Sequence, residues 1–126
     1  MKQLKPVPQD KIFYVYEGGT INSLYQLADS LASMPAKSFN HHVTPTRNDF
    51  ANWVRDVIQD SVLAQRISSQ KSKALMEKTV RERIHELEEQ HMPAHASKNI
   101  IRKGIFDFII GLIVGVVAGL ILASVL

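Results

Sequence analysis

The sequence contains no cysteine. That absence removes a disulfide framework, a thiolate nucleophile and every cysteine-based zinc site, and it suits a reducing cytosol. Glycine is scarce as well: Gly18 and Gly19 stand together, the other four fall within residues 104–119, and no glycine-rich loop is present to cradle a nucleotide. Charge of one sign is also lacking where a domain is expected. The net charge of +3 divides into +1 for residues 1–10, zero for 11–68 and +3 for 69–104, with Asp107 supplying −1. A neutral domain without a basic stripe beside its aromatic residues is not expected to bind nucleic acid. There is no internal repeat.

Long apolar runs are absent too, with one exception. Residues 105–126, IFDFIIGLIVGVVAGLILASVL, carry Asp107 as their one charge. At about 1.5 Å per residue such a helix reaches roughly 33 Å, enough to cross a bilayer. The cations Lys98, Arg102 and Lys103 precede it, which places that side in the cytoplasm and gives contacts to anionic lipid head groups. The expectation is a tail-anchored, single-pass protein of the cell membrane with a cytoplasmic N-terminus. Gly111, Gly115, Gly119 and Ala123 recur every four residues, so one helix face is smooth enough for close backbone approach. Such a face predicts a homo-oligomer or pairing with another membrane protein. Asp107, one turn inside the run, can reach the head-group level beside Lys103.

Before that run the chain reads as a small α+β domain followed by a long helix. Residues 1–10, with Pro6 and Pro8, predict a flexible lead-in. Ile12 to Tyr16 is β-branched and aromatic, and Gly18-Gly19 then offers positive φ angles for a hairpin turn before Thr20-Ile21. Ser23 with Gln26 forms a capping box ahead of Leu24, Leu27, Ala28, Leu31 and Met34 at helical spacing. Pro35 opens a second short helix with Phe39, His42 and Val43, closed by Thr44-Pro45. Phe50, Trp53, Val54, Val57 and Ile58 make an apolar stripe capped by Thr46 or Asn48, and Asp60 can cap a further turn with Leu63, Ala64 and Ile67. Seven aromatics in residues 11–68 are expected to supply most of the core area.

The expected boundaries are a domain over 11–68, an amphipathic helical stalk over 69–92, a basic juxtamembrane hinge over 93–104 and a transmembrane helix over 105–126. The fold class is therefore α+β, a short β-hairpin packed on three to four short helices, followed by a long amphipathic helix and one membrane helix. In the stalk Met76, Val80, Ile84 and Leu87 form one thin stripe. That stripe suits self-association with a second helix, folding back on the domain or lying on the membrane, and it is too short for a convincing coiled coil.

Candidate chemistry is sparse. His41 and His42 are adjacent, about 100° apart on a helix, and so are poorly placed to share an ion. With Asp49 or Asp56 they could be pictured as an acid/base or metal centre. His91 and His95 have metal-like spacing, but Pro93 intervenes and no third ligand follows. No nucleophile, oxyanion donor pair or phosphate loop accompanies these groups, so neither enzyme activity, a cofactor nor a metal is expected. Asn48, Asp49 and Asp56 read as caps and surface charge.

Taken together, YVYEGGTINSLYQLADSL, FNHHV, NDFANWVRDVIQD and LAQRI resemble a small archaeal and bacterial domain family of unknown function, over residues 12–67. The resemblance rests most on Phe39, His42, Val43, Asn48, Asp49, Phe50, Trp53, Asp56 and Val57. It implies a domain of those bounds in which His42, Asn48, Asp49 and Trp53 matter together. The leading expectation is a membrane-tethered protein-interaction module that self-associates through its stalk and membrane helix, with a membrane-tethered enzyme or metal-binding domain at His42, Asp49 and Asp56, or a membrane-remodelling subunit, as alternatives.

Overall fold

The computed structural model describes residues 2–91, and no helix among them is long and apolar enough to cross a membrane. The expected hinge at 93–104 and membrane helix at 105–126 lie outside the described residues, as do Lys98, Arg102, Lys103, Gly111, Gly115, Gly119 and Ala123. Two antiparallel strands, β1 (Phe13–Tyr14) and β2 (Thr20–Ile21), pair Phe13 with Ile21 and Tyr14 with Thr20. Helices follow as α1 (Leu24–Ser33), α2 (Ala36–His42), α3 (Asp49–Trp53), α4 (Ser61–Ile67) and α5 (Lys73–His91). Among the described residues the fold is thus α+β with a minimal hairpin and five α-helices, one of them long.

The caps expected from sequence start their helices. Ser23 Oγ accepts from the Gln26 N–H at 3.2 Å, while the Gln26 side chain reaches back to the N–H of Asn22 at 2.8 Å. Asn48 Oδ1 accepts from the Ala51 N–H, and Asp60 Oδ1 from the Leu63 N–H. Each satisfies a backbone donor that the first helical turn leaves unpaired.

The hairpin turn is built differently from the glycine expectation. Glu17, at φ 51°, is the left-handed residue, and neither glycine has a positive φ. The Gly18 N–H closes the turn on the Val15 carbonyl at 3.0 Å. Gly18 matters for its missing side chain, since a Cβ there would stand 2.9 Å from Val15 Cγ1. The lead-in also differs. Residues 2–4 and 9–11 form 3₁₀ turns, the Val7 N–H donates to the Asn22 carbonyl at 2.7 Å, and Leu4 and Val7 pack on the core.

α3 does not continue as one α-helix. Val54–Ile58 widen into a π-helical turn, ended by Gln59 at φ 63°. The Val54 carbonyl accepts from the N–H groups of both Gln59 and Asp60, so the wide turn closes directly onto the cap of α4. Such wide turns tend to occur at functional sites.

The largest difference concerns α5. Met76, Val80, Ile84 and Leu87 are buried in the same core as Leu24, Leu27, Leu31, Phe50, Leu63 and Ile67. Of the dispositions open to the stripe, fold-back is the one observed, and the compact unit reaches Gln90, beyond the boundary expected near residue 68. Polar ties fix the direction. Lys73 Nζ donates to the Leu31 carbonyl, Arg81 pairs with Asp29, and the Tyr25 hydroxyl donates to Glu88, so α5 runs antiparallel to α1. The hydrogen bond to Glu88 raises the Tyr25 pKa above its ordinary value. The tyrosines contribute little core: Tyr14, Tyr16 and Tyr25 are exposed, Phe39, Phe50 and Trp53 are buried, and Phe13 is half-buried.

Candidate functional site

His42 sits at the end of α2, where its ring enters an aromatic cluster. Its centroid lies 4.8 Å from Phe13 and 5.3 Å from Phe50, both edge-on, and Phe13 is 5.0 Å from Phe50 and 6.0 Å from Trp53. Edge-on contacts of this kind suit a ring with a positive rim and a negative face. The residue is 6% exposed.

Both ring nitrogens are engaged by the protein. The Tyr16 backbone N–H donates to His42 Nε2 at 2.9 Å, which fixes that nitrogen as the acceptor. Nδ1 must then carry the proton and donates to Asp49 Oδ2 at 3.0 Å. Arg47 Nε pairs with the other oxygen of Asp49 at 3.1 Å, and Arg47 Nη2 donates to the His41 carbonyl. The result is a chain from Arg47 to the turn of the hairpin: an ion pair to Asp49, then hydrogen bonds joining Asp49 to His42 and His42 to the Tyr16 N–H. It ties β1–β2, α2 and the start of α3 together with one neutral imidazole.

The other residues singled out in the sequence divide cleanly. Asn48 is a two-ended tie: beyond capping α3, its Nδ2 donates to the Ile67 carbonyl at 2.9 Å, joining the start of α3 to the end of α4. Trp53 packs on Phe13 and its Nε1–H donates to the Lys11 carbonyl at 2.8 Å, holding the chain entering the hairpin. His41 is exposed and stacks face to face on Tyr16 at 3.9 Å, with Lys37 Nζ 5.9 Å from the same ring. Asp56 is not part of the cluster. It pairs with its neighbour Arg55 on the exposed surface, and that hydrogen bond holds its carboxyl below its ordinary value. The picture of an acid/base centre joining His42, Asp49 and Asp56 therefore lacks its third member. No grouping of three or more metal-ligating side chains occurs among the described residues.

Sequence reasoning missed a second polar centre. Arg83 of α5 donates to Asp60 through Nε at 2.8 Å and Nη2 at 3.2 Å, and through Nη1 to Glu86 at 3.0 Å. Arg66 Nη1 reaches the other Glu86 oxygen at 2.8 Å. Asp60 is 2% and Arg83 9% exposed. The hydrogen bond to Asp60, against burial, holds the Arg83 pKa above its ordinary value, while Arg66 and Arg83 hold that of Glu86 below. One signal was available: Met76, Val80, Arg83 and Leu87 are spaced by four, three and four residues, so Arg83 lies in phase with the buried stripe.

A third feature is an open cleft of about 360 Å³ between α3 and α4, lined by polar residues that include Arg47, Asn52, Arg55 and Gln65.

These features define a small α+β domain whose conspicuous histidine is bound at both nitrogens by its own chain. The chain belongs to a family of unknown function, DUF5752, matched over residues 7–122. The match extends well past the residues 12–67 that carry the sequence resemblance. No curated protein and no solved structure matches the chain.

Proposed function

We propose that this protein is a membrane-tethered interaction module that works by binding rather than by catalysis. Residues 105–126 anchor it as a single-pass helix in the cell membrane, and the α+β domain stands on the cytoplasmic side, available to a cytosolic protein partner. The observation that carries this reading is the run of 22 residues with Asp107 as its one charge, preceded by Lys98, Arg102 and Lys103. The engagement of both His42 nitrogens supports the non-catalytic part, because neither is free to take a metal or a substrate proton.

Self-association runs through the face of Gly111, Gly115, Gly119 and Ala123 in this reading. The stripe of α5 has no part in it, being covered inside the domain.

Membrane fractionation with alkaline extraction tests the anchor. The full chain should stay in the membrane pellet, and a chain ended at residue 104 should be released. Recovery of both in the soluble fraction would sink the proposal. Cross-linking in bilayers tests the smooth face: Gly115→Ile should weaken the oligomer ladder, and an unchanged pattern refutes association through these residues.

A further inference from the structure

The cleft between α3 and α4 takes no part in the His42 and Asp60 centres beyond sharing Arg47 with the first. Its two walls have the same spacing. Asn48, Ala51, Asn52 and Arg55 form one, and Ser61, Ala64, Gln65 and Ser68 form the other. Ser61, Ala64, Gln65 and Ser68, at i, i+3, i+4 and i+7, share one face of α4, and Asn48, Ala51 and Asn52 share one face at the start of α3, with Arg55 joining that wall from the π-helical turn. Ala51 and Ala64 are buried and give a small-residue floor, and the rims are amides, hydroxyls and guanidinium groups. The volume lies within the range of about 300–1,000 Å³ usual for small-molecule sites.

The lining includes two cations and no carboxylate. A guanidinium has about five N–H donors in a fixed fork. Arg47 spends Nε on Asp49 and Nη2 on the His41 carbonyl, and Arg55 spends Nε and Nη2 on Asp56. Nη1 of each has no acceptor among the described residues. The side chains of Thr46, Asn52, Ser61 and Gln65 likewise make no hydrogen bond to the protein among the described residues.

We propose that this cleft binds a phosphate-bearing ligand. Each guanidinium already forms an ion pair, with Asp49 or Asp56, yet keeps Nη1 as a charge-assisted donor, and these two groups with the amides and hydroxyls can surround a phosphomonoester, whose oxygens are acceptors near neutral pH. A simple carboxylate, with two oxygens, would leave most of these donors unused. The phosphate can come from solution or from a lipid phosphomonoester headgroup. The proposal stands on the cleft and does not depend on the membrane anchor.

The test uses the full chain in phosphatidylcholine nanodiscs, following the side-chain amide resonances of Asn52 and Gln65 by NMR. Inorganic phosphate should shift both saturably, where chloride at equal ionic strength does not. Arg55→Gln, an exposed position, should weaken that binding about tenfold or more, as expected for loss of a charge-assisted hydrogen bond. Shifts that occur only when the nanodiscs contain phosphatidic acid, and are lost in Arg55→Gln, assign the lipid source. The proposal is overturned if neither probe moves the two amides, or if Arg55→Gln binds as the parent chain does.

Discussion

Arg83 and Asp60, separated by 23 residues in sequence, meet through two hydrogen bonds at 2.8 and 3.2 Å with almost no exposure to water. Asp60 also caps α4, so this one carboxylate joins the start of that helix to the middle of α5. Removing one member strands the other as a buried charge. Arg83→Met should therefore destabilise the domain by about 3–5 kcal/mol. Asp60→Asn added to Arg83→Met should recover most of that loss, because asparagine keeps the cap without the charge. Denaturant unfolding of the single and double variants in mild detergent checks this, and a double variant no better than Arg83→Met contradicts it.

The two adjacent histidines should behave oppositely. His42→Ala leaves the Tyr16 N–H and Asp49 without their partner and opens a hole beside Phe13 and Phe50, a loss of about 2–4 kcal/mol. His41→Ala removes an exposed stack on Tyr16 and an edge contact with the His42 ring, and should cost about 1 kcal/mol or less. Equal losses at the two positions would show that the imidazole hydrogen bonds do not hold the hairpin.

The features legible in the sequence are those whose cause is local. Ser23, Asn48 and Asp60 were readable as caps because a cap answers to donors two or three residues away. The stripe of α3 was readable because its period is its own. Periodicity also showed that the apolar face of α5 needs a cover, but not whether the cover is another chain or the same one. Fold-back was decided by tertiary partners: Asp60 for Arg83, Asp29 for Arg81 and Glu88 for Tyr25. The same limit applies at His42. The motif marked the residue, but the donor to Nε2 is a backbone N–H 26 residues earlier, which no side-chain pattern reports. Asp56 was grouped with it by nearness in sequence and belongs instead to Arg55 next door. Gly18-Gly19 marked the turn correctly, whereas the left-handed conformation fell on Glu17.

Acid should loosen the α4–α5 contact through Glu86. Its carboxyl is held below the ordinary value by hydrogen bonds first from Arg66 and then from Arg83. A group depressed in the folded state contributes stability that is complete above its unfolded pKa and is lost as pH falls through the folded value. The domain should therefore lose stability as pH drops below the ordinary glutamate range. Glu86→Gln should flatten that acid limb by giving up the same contribution near neutral pH, a small one since the pair is partly exposed and screened. Unfolding midpoints measured from pH 7 down to about pH 3 test the sign, and an unaltered acid limb in Glu86→Gln refutes it.

The role of α5 separates a stalk from a structural member of the domain. Met76, Val80 and Leu87 are almost wholly buried, and together with Ile84 they cover the apolar faces of the shorter helices. Leu87→Ala should cost about 2–5 kcal/mol of domain stability, the range for a large-to-small change in a packed core. A stalk residue would show no such cost and would affect only association. Truncation sharpens the difference. A chain ended at residue 68 leaves Leu24, Leu31 and Leu63 without the α5 side of their core and strands Asp60 without Arg83. It should lack a cooperative unfolding transition and resolved side-chain methyl signals, whereas a chain ended at residue 91 should keep both. A cooperative transition in the 68-residue chain would return α5 to the role of a detachable stalk and make the domain complete without it.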